Sequence, residues 1–165
     1  MRFNLERCAK NHFEDHVLRK EKDYDYVWCA ADVDVHTHED FYELFILAGG
    51  DYYHYYNGEE KRIGRNTVYF FKPGQSHGIY RATPQSVHFS FFAKKSFFNR
   101  FFEENPFLRN CFGRKGCLSC RLTDVEYAYI YKLANQLVRQ DDEYQKVCLF
   151  LYNVITLLMF RNETA

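Results

Sequence analysis

Apolar and polar side chains alternate along residues 24 to 92, and a spacing of three and four replaces that alternation from residue 96 onward. Strands repeat every two residues and helices every 3.6, so the change of period predicts a β-rich first part and a helical second part. Tyr24, Tyr26 and Trp28 alternate with polar or small partners. Phe41 to Ala48 reads as a buried strand ended by Gly49-Gly50, and Tyr52 to Tyr56 as an aromatic strand closed by Asn57-Gly58, a strong two-residue hairpin signal. Lys61 to Ile63 returns from that turn. Val68 to Phe71, Ile79 to Arg81 and Ser86 to Phe92 bring the total to seven or eight short strands at turn spacing, which suits a jelly-roll barrel.

The helical part opens with Ser96 as the expected cap of a short helix over Phe97 to Glu104, halted by Pro106. Residues 109 to 121 read as a loop rich in Gly, Cys and Arg. Thr123 to Glu126 is a capping box, Thr-x-x-Glu, heading a long helix whose apolar set is Tyr127, Ile130, Tyr131, Ala134, Leu137 and Val138. Asp141-Asp142 opens a second helix carrying Val147, Cys148, Leu151, Val154, Ile155, Leu158 and Met159. One face of such a pair packs on the barrel, and the remainder needs another partner. Residues 1 to 23 are polar, with room for a short helix or strand.

Candidate chemistry is concentrated in the strands. His36-Thr-His38 puts two imidazoles on one face of a strand, Glu43 follows in the next apolar run, and His77 comes after the Pro73-Gly74 turn. In a small barrel all four meet at one inward-facing point. Such a point is a metal site, the polar floor of a ligand pocket, or a hydrogen-bonded structural cluster. As a metal site, three nitrogens and one oxygen suit Zn, Mn, Fe or Ni. His54 either faces the pocket or packs between tyrosines. His88 reads as structural, and His12 and His16 as surface.

The spacing is similar to the two motifs of the cupin superfamily, with departures at Ala30, Asn66 and Lys72. Ala30 and Asn66 stand where that pattern has Gly, though Asn also tolerates a left-handed backbone. Lys72 displaces the Pro, which follows as Pro73. With these departures the chain resembles the sensor barrel of AraC-type transcription regulators more than a metal-dependent cupin enzyme. The motifs that carry this are His36-Thr-His38, Phe41-Tyr42-Glu43-Leu44, Gly50, His54-Tyr-Tyr-Asn57-Gly58 and Pro73-Gly74-Gln-Ser-His77, matching over about residues 30 to 95. The resemblance implies a mainly β fold with C-terminal α-helices, namely a cupin-like double-stranded β-helix (jelly-roll) barrel followed by a helix pair. It places the sensor barrel at 1–95 and a helical linker or dimerisation segment at 96–165. It further implies a small-molecule effector, a homodimer formed through the helices, no enzymatic activity, and DNA binding by helix-turn-helix units that this chain lacks. The expectation is the sensor half of a longer regulator, as a fragment or as a naturally short form. Within the family the chain looks closest to regulators of oligosaccharide-use operons such as chitobiose regulators, on its Phe-Tyr-Glu and Asn-Gly segments and the Phe-rich helix after the barrel.

Composition sharpens this picture. Twenty-two basic and 22 acidic side chains leave no basic excess, so this polypeptide by itself is a poor nucleic-acid binder. Fourteen Tyr, 17 Phe and one Trp suit a sugar pocket, with rings stacking on sugar faces and hydroxyls reaching its oxygens. Expected walls are Tyr24, Tyr26, Trp28, Tyr53, Tyr55 and Tyr69, and the expected effector-binding set is His36, His38, Glu43, His77, His54, Tyr53, Tyr55 and Trp28. The plainer reading is that a β-rich fold favours aromatic residues in its strands. Six cysteines without a signal peptide read as reduced thiols, although Cys111, Cys117 and Cys120 have spacing compatible with zinc or a redox disulfide. No apolar run reaches membrane-spanning length and the start is not a secretory signal, which points to a soluble cytoplasmic protein. Two competing functions remain: a metal-dependent cupin enzyme, dioxygenase or sugar isomerase, with an open coordination position, and a dimerisation module without ligand.

Overall fold

The computed structural model describes residues 3, 8–16, 19, 21–110, 117–139 and 144–161. Its strands are β1 (Ala9–Asn11), β2 (Tyr24–Cys29), β3 (Val33–His38), β4 (Phe41–Gly49), β5 (Tyr52–Tyr56), β6 (Glu59–Ile63), β7 (Thr67–Phe71), β8 (Ser76–Arg81), β9 (Val87–Lys94) and β10 (Leu118–Arg121). The helices are α1 (Phe13–His16), α2 (Lys95–Glu104), α3 (Pro106–Arg109), α4 (Asp124–Arg139) and α5 (Tyr144–Arg161). Two five-stranded sheets face each other, in the orders β1-β3-β8-β5-β6 and β10-β7-β4-β9-β2. This is a cupin-like jelly roll with C-terminal helices, as the change of period predicts.

Local chemistry sets the corners. Asn57 and Gly58 have φ of 53° and 82°, the two positive values a tight hairpin turn requires. Asn66 does take the left-handed backbone, with φ of 68°. Its main chain joins Leu47 and Leu122, and its amide donates to Asp124 at 3.1 Å, tying β7 to the start of α4. The capping box forms as written: Thr123 N–H donates to Glu126 Oε2 at 2.8 Å and Glu126 N–H to Thr123 Oγ1 at 3.2 Å.

Alternation divides the second sheet into two unlike faces. Leu44, Ile46, Val68, Phe70, Phe89 and Phe91 turn outward and pack under the helices against Phe98, Phe101, Leu133, Phe150, Leu151 and Val154. Each such side chain removed from water stabilises the fold by about 1.5–3 kcal/mol, so the main apolar core lies between sheet and helices. The opposite face carries Glu43, Phe45, Leu47, Tyr69 and Phe71 into the space between the sheets. That space is where polar chemistry collects.

Three expectations need correction. Ser96 is not a cap: α2 starts one residue earlier and its N-terminal flank, Lys94, makes no side-chain capping bond. Residues 118 to 121 are not loop, because Leu118–Arg121 pairs antiparallel with β7 as an edge strand. Cys117 and Cys120 do not share a site. Cys117 packs between the sheets and Cys120 beneath the helices. Cys111 and Asp141-Asp142 lie outside the described residues. Among the described residues no helix is long and apolar enough to cross a membrane.

Candidate functional site

Three imidazoles come from one sheet and the carboxylate from the other. On β3, Val33 pairs with Ile79 and His36 with His77, so three steps along β3 match two along β8. The extra residue is a bulge, and it re-aims the strand so that His36 and then His38 point inward. His77 stands directly across from His36. Glu43 arrives from β4, paired with Phe71 and Phe92 on its flanking strands.

The four ligating atoms converge. His36 Nε2 lies 3.0 Å from His38 Nε2, and Glu43 Oε2 lies 3.0 Å from both His38 Nε2 and His77 Nε2. All four atoms fall within 4.8 Å of one another, and all four residues are buried. His36 donates its Nδ1–H to the Asp34 carbonyl at 2.8 Å, which leaves Nε2 of the neutral ring as a lone pair. Ser90 donates to Glu43 Oε1 at 3.2 Å. Burial opposes ionisation of Glu43, yet hydrogen bonds from His38 and His77 outweigh it and hold the carboxyl well below its usual range. Burial lowers the proton affinity of His36, and takes that of His77 well below the usual imidazole value. The result is one carboxylate beside the neutral rings of His36 and His77.

That donor set fits a divalent metal ion. Nitrogen ligands sit about 2.1 Å from such an ion, so neighbouring ligands of an octahedron stand about 3.0 Å apart. The three 3.0 Å spacings here match three successive edges of that figure. Beside the cluster opens a cavity of about 190 Å3, lined by His16, Val27, Cys29, Val33, His36, Glu43, His77, Ile79, His88, Ser90 and Phe92.

A family model described as the AraC-like ligand binding domain matches residues 26–147. The chain belongs to that family. No curated protein matches it. Among solved structures, the AraC-like domain is similar to ToxT from Vibrio cholerae, at a TM-score of 0.56 and 12% identity over 83% of this chain and 56% of that one. A second ToxT structure, bound to (E)-4-(8-methylnaphthalen-1-yl)but-3-enoic acid, matches with the same score and identity over 83% and 57%. A Klebsiella pneumoniae protein with a double-stranded β-helix domain overlaps less, at a TM-score of 0.39 and 20% identity over 44% and 68%. The chain thus spans a little over half the length of the ToxT structures it matches.

Within this AraC-like domain the other expected site residues divide. His54 faces inward: its ring centroid is 4.4 Å from Tyr69 and 5.7 Å from His77, and burial pushes its pKa down to about 3. It packs among rings and is not one of the four converging groups. Tyr53 and Tyr55, on either side of it, point the other way. The Arg62 guanidinium lies 5.8 Å over the ring of Tyr53, while Tyr55 meets Phe3 on the outer surface. Trp28 also faces out, against Phe89 and Tyr131 of α4, and Tyr24 and Tyr26 share its face. Of the expected ring walls, only Tyr69 joins the inner cluster.

Sequence reasoning missed His16. Read as surface, it lies in the cavity wall of the AraC-like domain, with its ring 5.4 Å from that of His36. Ser90 and Phe92 were also missed, although both share the alternate positions of β9 with His88. For them the period of two was an available signal. For His16 no local signal existed, because a fold-back of the chain brings it there.

Proposed function

We propose that this chain is the effector-sensing part of an AraC-type transcription regulator, taking a small polar molecule into the cavity beside His36, His38, Glu43 and His77. The convergence of those four buried groups on a cavity wall carries this reading. A barrel interior packed for stability alone would be apolar. Here, among the described residues, His38 Nδ1 and His77 Nδ1 are buried without hydrogen-bond partners, at about 1–3 kcal/mol each. The small organic ligand in a ToxT structure supports the same class of function.

The four groups also form the site at which we propose a divalent ion (Zn, Mn, Fe or Ni) is held, supplying positive charge at the cavity wall. A sugar-like ligand, proposed from the ring inventory, would meet imidazoles and Phe92 in the cavity wall but none of the expected Tyr or Trp rings, so the lining supports it less than a ligand with a single polar end. Membership of the chitobiose-regulator group is a proposal of the same standing. The exposed apolar side chains of α5 support a homodimer through the helical segment 96–165. DNA contact would belong to a further domain, in a regulator acting in the cytoplasm. The second reading, a metal-dependent enzyme, is favoured by one observation: the cluster has a cavity next to it where an ion's remaining positions would open.

The test has two arms. Metal analysis of protein purified without added metal should find about one ion per chain, lost in Glu43→Gln and His77→Ala. In a reporter assay with a regulator carrying this domain, both substitutions should abolish the effector response. An unchanged response in both would remove the pocket assignment, and turnover by the metal-loaded chain would favour the enzyme.

A further inference from the structure

We propose that the cavity takes a short-chain carboxylate and that His16, donating Nδ1–H to a ligand oxygen, is the residue that selects it. This rests on the effector-site reading above and gives that effector a chemical class. His16 is held in place before any ligand arrives. β1 runs parallel to β3, pairing Ala9 with His36 and Asn11 with His38. Phe13, wholly buried, packs edge-on to Phe41, and its N–H donates to Asp40 at 2.8 Å. The His16 ring then lies 5.1 Å from Phe41 and 5.4 Å from Phe92, on the cavity wall.

The direction of its proton follows from one neighbour. Asn11 Nδ2 stands 2.8 Å from His16 Nε2, and an amide nitrogen only donates. Nε2 therefore accepts, and the ring carries its proton on Nδ1. Among the described residues that N–H has no hydrogen-bond partner. Other groups around the cavity are already committed: His36 gives its N–H to Asp34, Ser90 gives its O–H to Glu43, and His77 turns Nε2 to the cluster as an ion's ligand with Nδ1 buried. A ligand rich in hydroxyls would leave several of them unpaired, at about 1–3 kcal/mol each. A single oxygen-bearing head group would not.

Charge and shape select the rest. A carboxylate would be repelled by Glu43 alone. A divalent ion at the cluster leaves one net positive charge there, facing the cavity, which attracts an anionic head. Val27, Val33, Ile79 and Phe92 supply an apolar remainder suited to a short hydrocarbon tail.

The experiment loads the purified chain with Co2+ and titrates butyrate, with 1-butanol and methyl glucoside as neutral comparators, reading the visible Co2+ spectrum and the heat of binding. Butyrate should perturb the spectrum and bind at least tenfold tighter than either comparator. His16→Phe keeps a ring between Phe41 and Phe92 but removes the donor. It should weaken butyrate by about ten- to hundredfold, the worth of a hydrogen bond to a charged group, while Co2+ affinity changes less than twofold. His16→Gln, which retains an N–H, should recover part of the loss. Failure of Co2+ to bind would overturn this inference together with the metal assignment. Co2+ binding without any effect of butyrate, tighter binding of a comparator, or equal butyrate binding by His16→Phe would overturn this inference and leave the effector-site reading standing.

Discussion

His88 shows what a single buried imidazole does to this fold. It sits on the inner face of β9, 3.1 Å from the Tyr52 hydroxyl through Nδ1, and burial lowers its proton affinity. In the unfolded chain the same group takes up a proton near pH 6.5. The unfolded state therefore binds more protons below that pH, and the stability His88 contributes is present above about pH 6.5 and declines as pH falls. Urea midpoints should drop between pH 7.5 and 5.0, and His88→Gln should make that slope shallower by up to about 1.4 kcal/mol per pH unit. An unchanged slope would mean that His88 protonates freely in the folded protein. At this scale the site was legible wherever strand parity applied. His36, His38, Glu43 and His77 could be grouped from spacing, and the same parity already separates Tyr53 and Tyr55 from His54. Trp28 was not legible, because nothing in its strand says which face meets the helices.

Turns and strand ends are held by a few backbone positions with little tolerance. Gly50, after β4, has φ of 65°, and a Cβ there would meet Ser86 N at 2.8 Å and Ser86 Oγ at 2.7 Å. Gly58, in the β5–β6 turn, also has positive φ, at 82°, but a Cβ would meet nothing within 4 Å. Gly50→Ala should cost about 2–4 kcal/mol, from backbone strain plus overpacking. Gly58→Ala should cost about 1 kcal/mol, from the backbone alone. Denaturant titrations that gave equal losses would contradict the close approach at Gly50. Most elements were readable from period and punctuation, as the β5–β6 hairpin and the capping box of α4 show. β10 was not: four residues inside a Gly- and Cys-rich stretch carry too short a pattern, and only the open edge of β7 makes them a strand.

At the scale of the whole molecule, the main apolar core lies under the helices, while a smaller one around Phe45, Leu47, Tyr52, Phe71 and Ile79 shares the space between the sheets with the polar cluster. Because the larger core lies outside the barrel, part of the interior can stay open as the cavity beside the cluster. On the far side of the helical layer, α5 presents Leu149, Tyr152 and Phe160, the last 69% exposed and in ring contact with Phe107 of α3. Light scattering across a dilution series should find a dimer that the double substitution Leu149→Glu, Tyr152→Glu converts to monomer. A monomer at every concentration would reduce the helices to a cover for the sheet. The β-then-α order was legible from the chain, but the sharing of one sheet between the two parts was not, since pairings between distant segments leave no local trace. The late arrival of β10 bears on how the protein is made. Phe70 waits for Leu118, so a chain growing from the ribosome holds an unfinished sheet until α2 and α3 have emerged, and long-range closures of this kind slow folding.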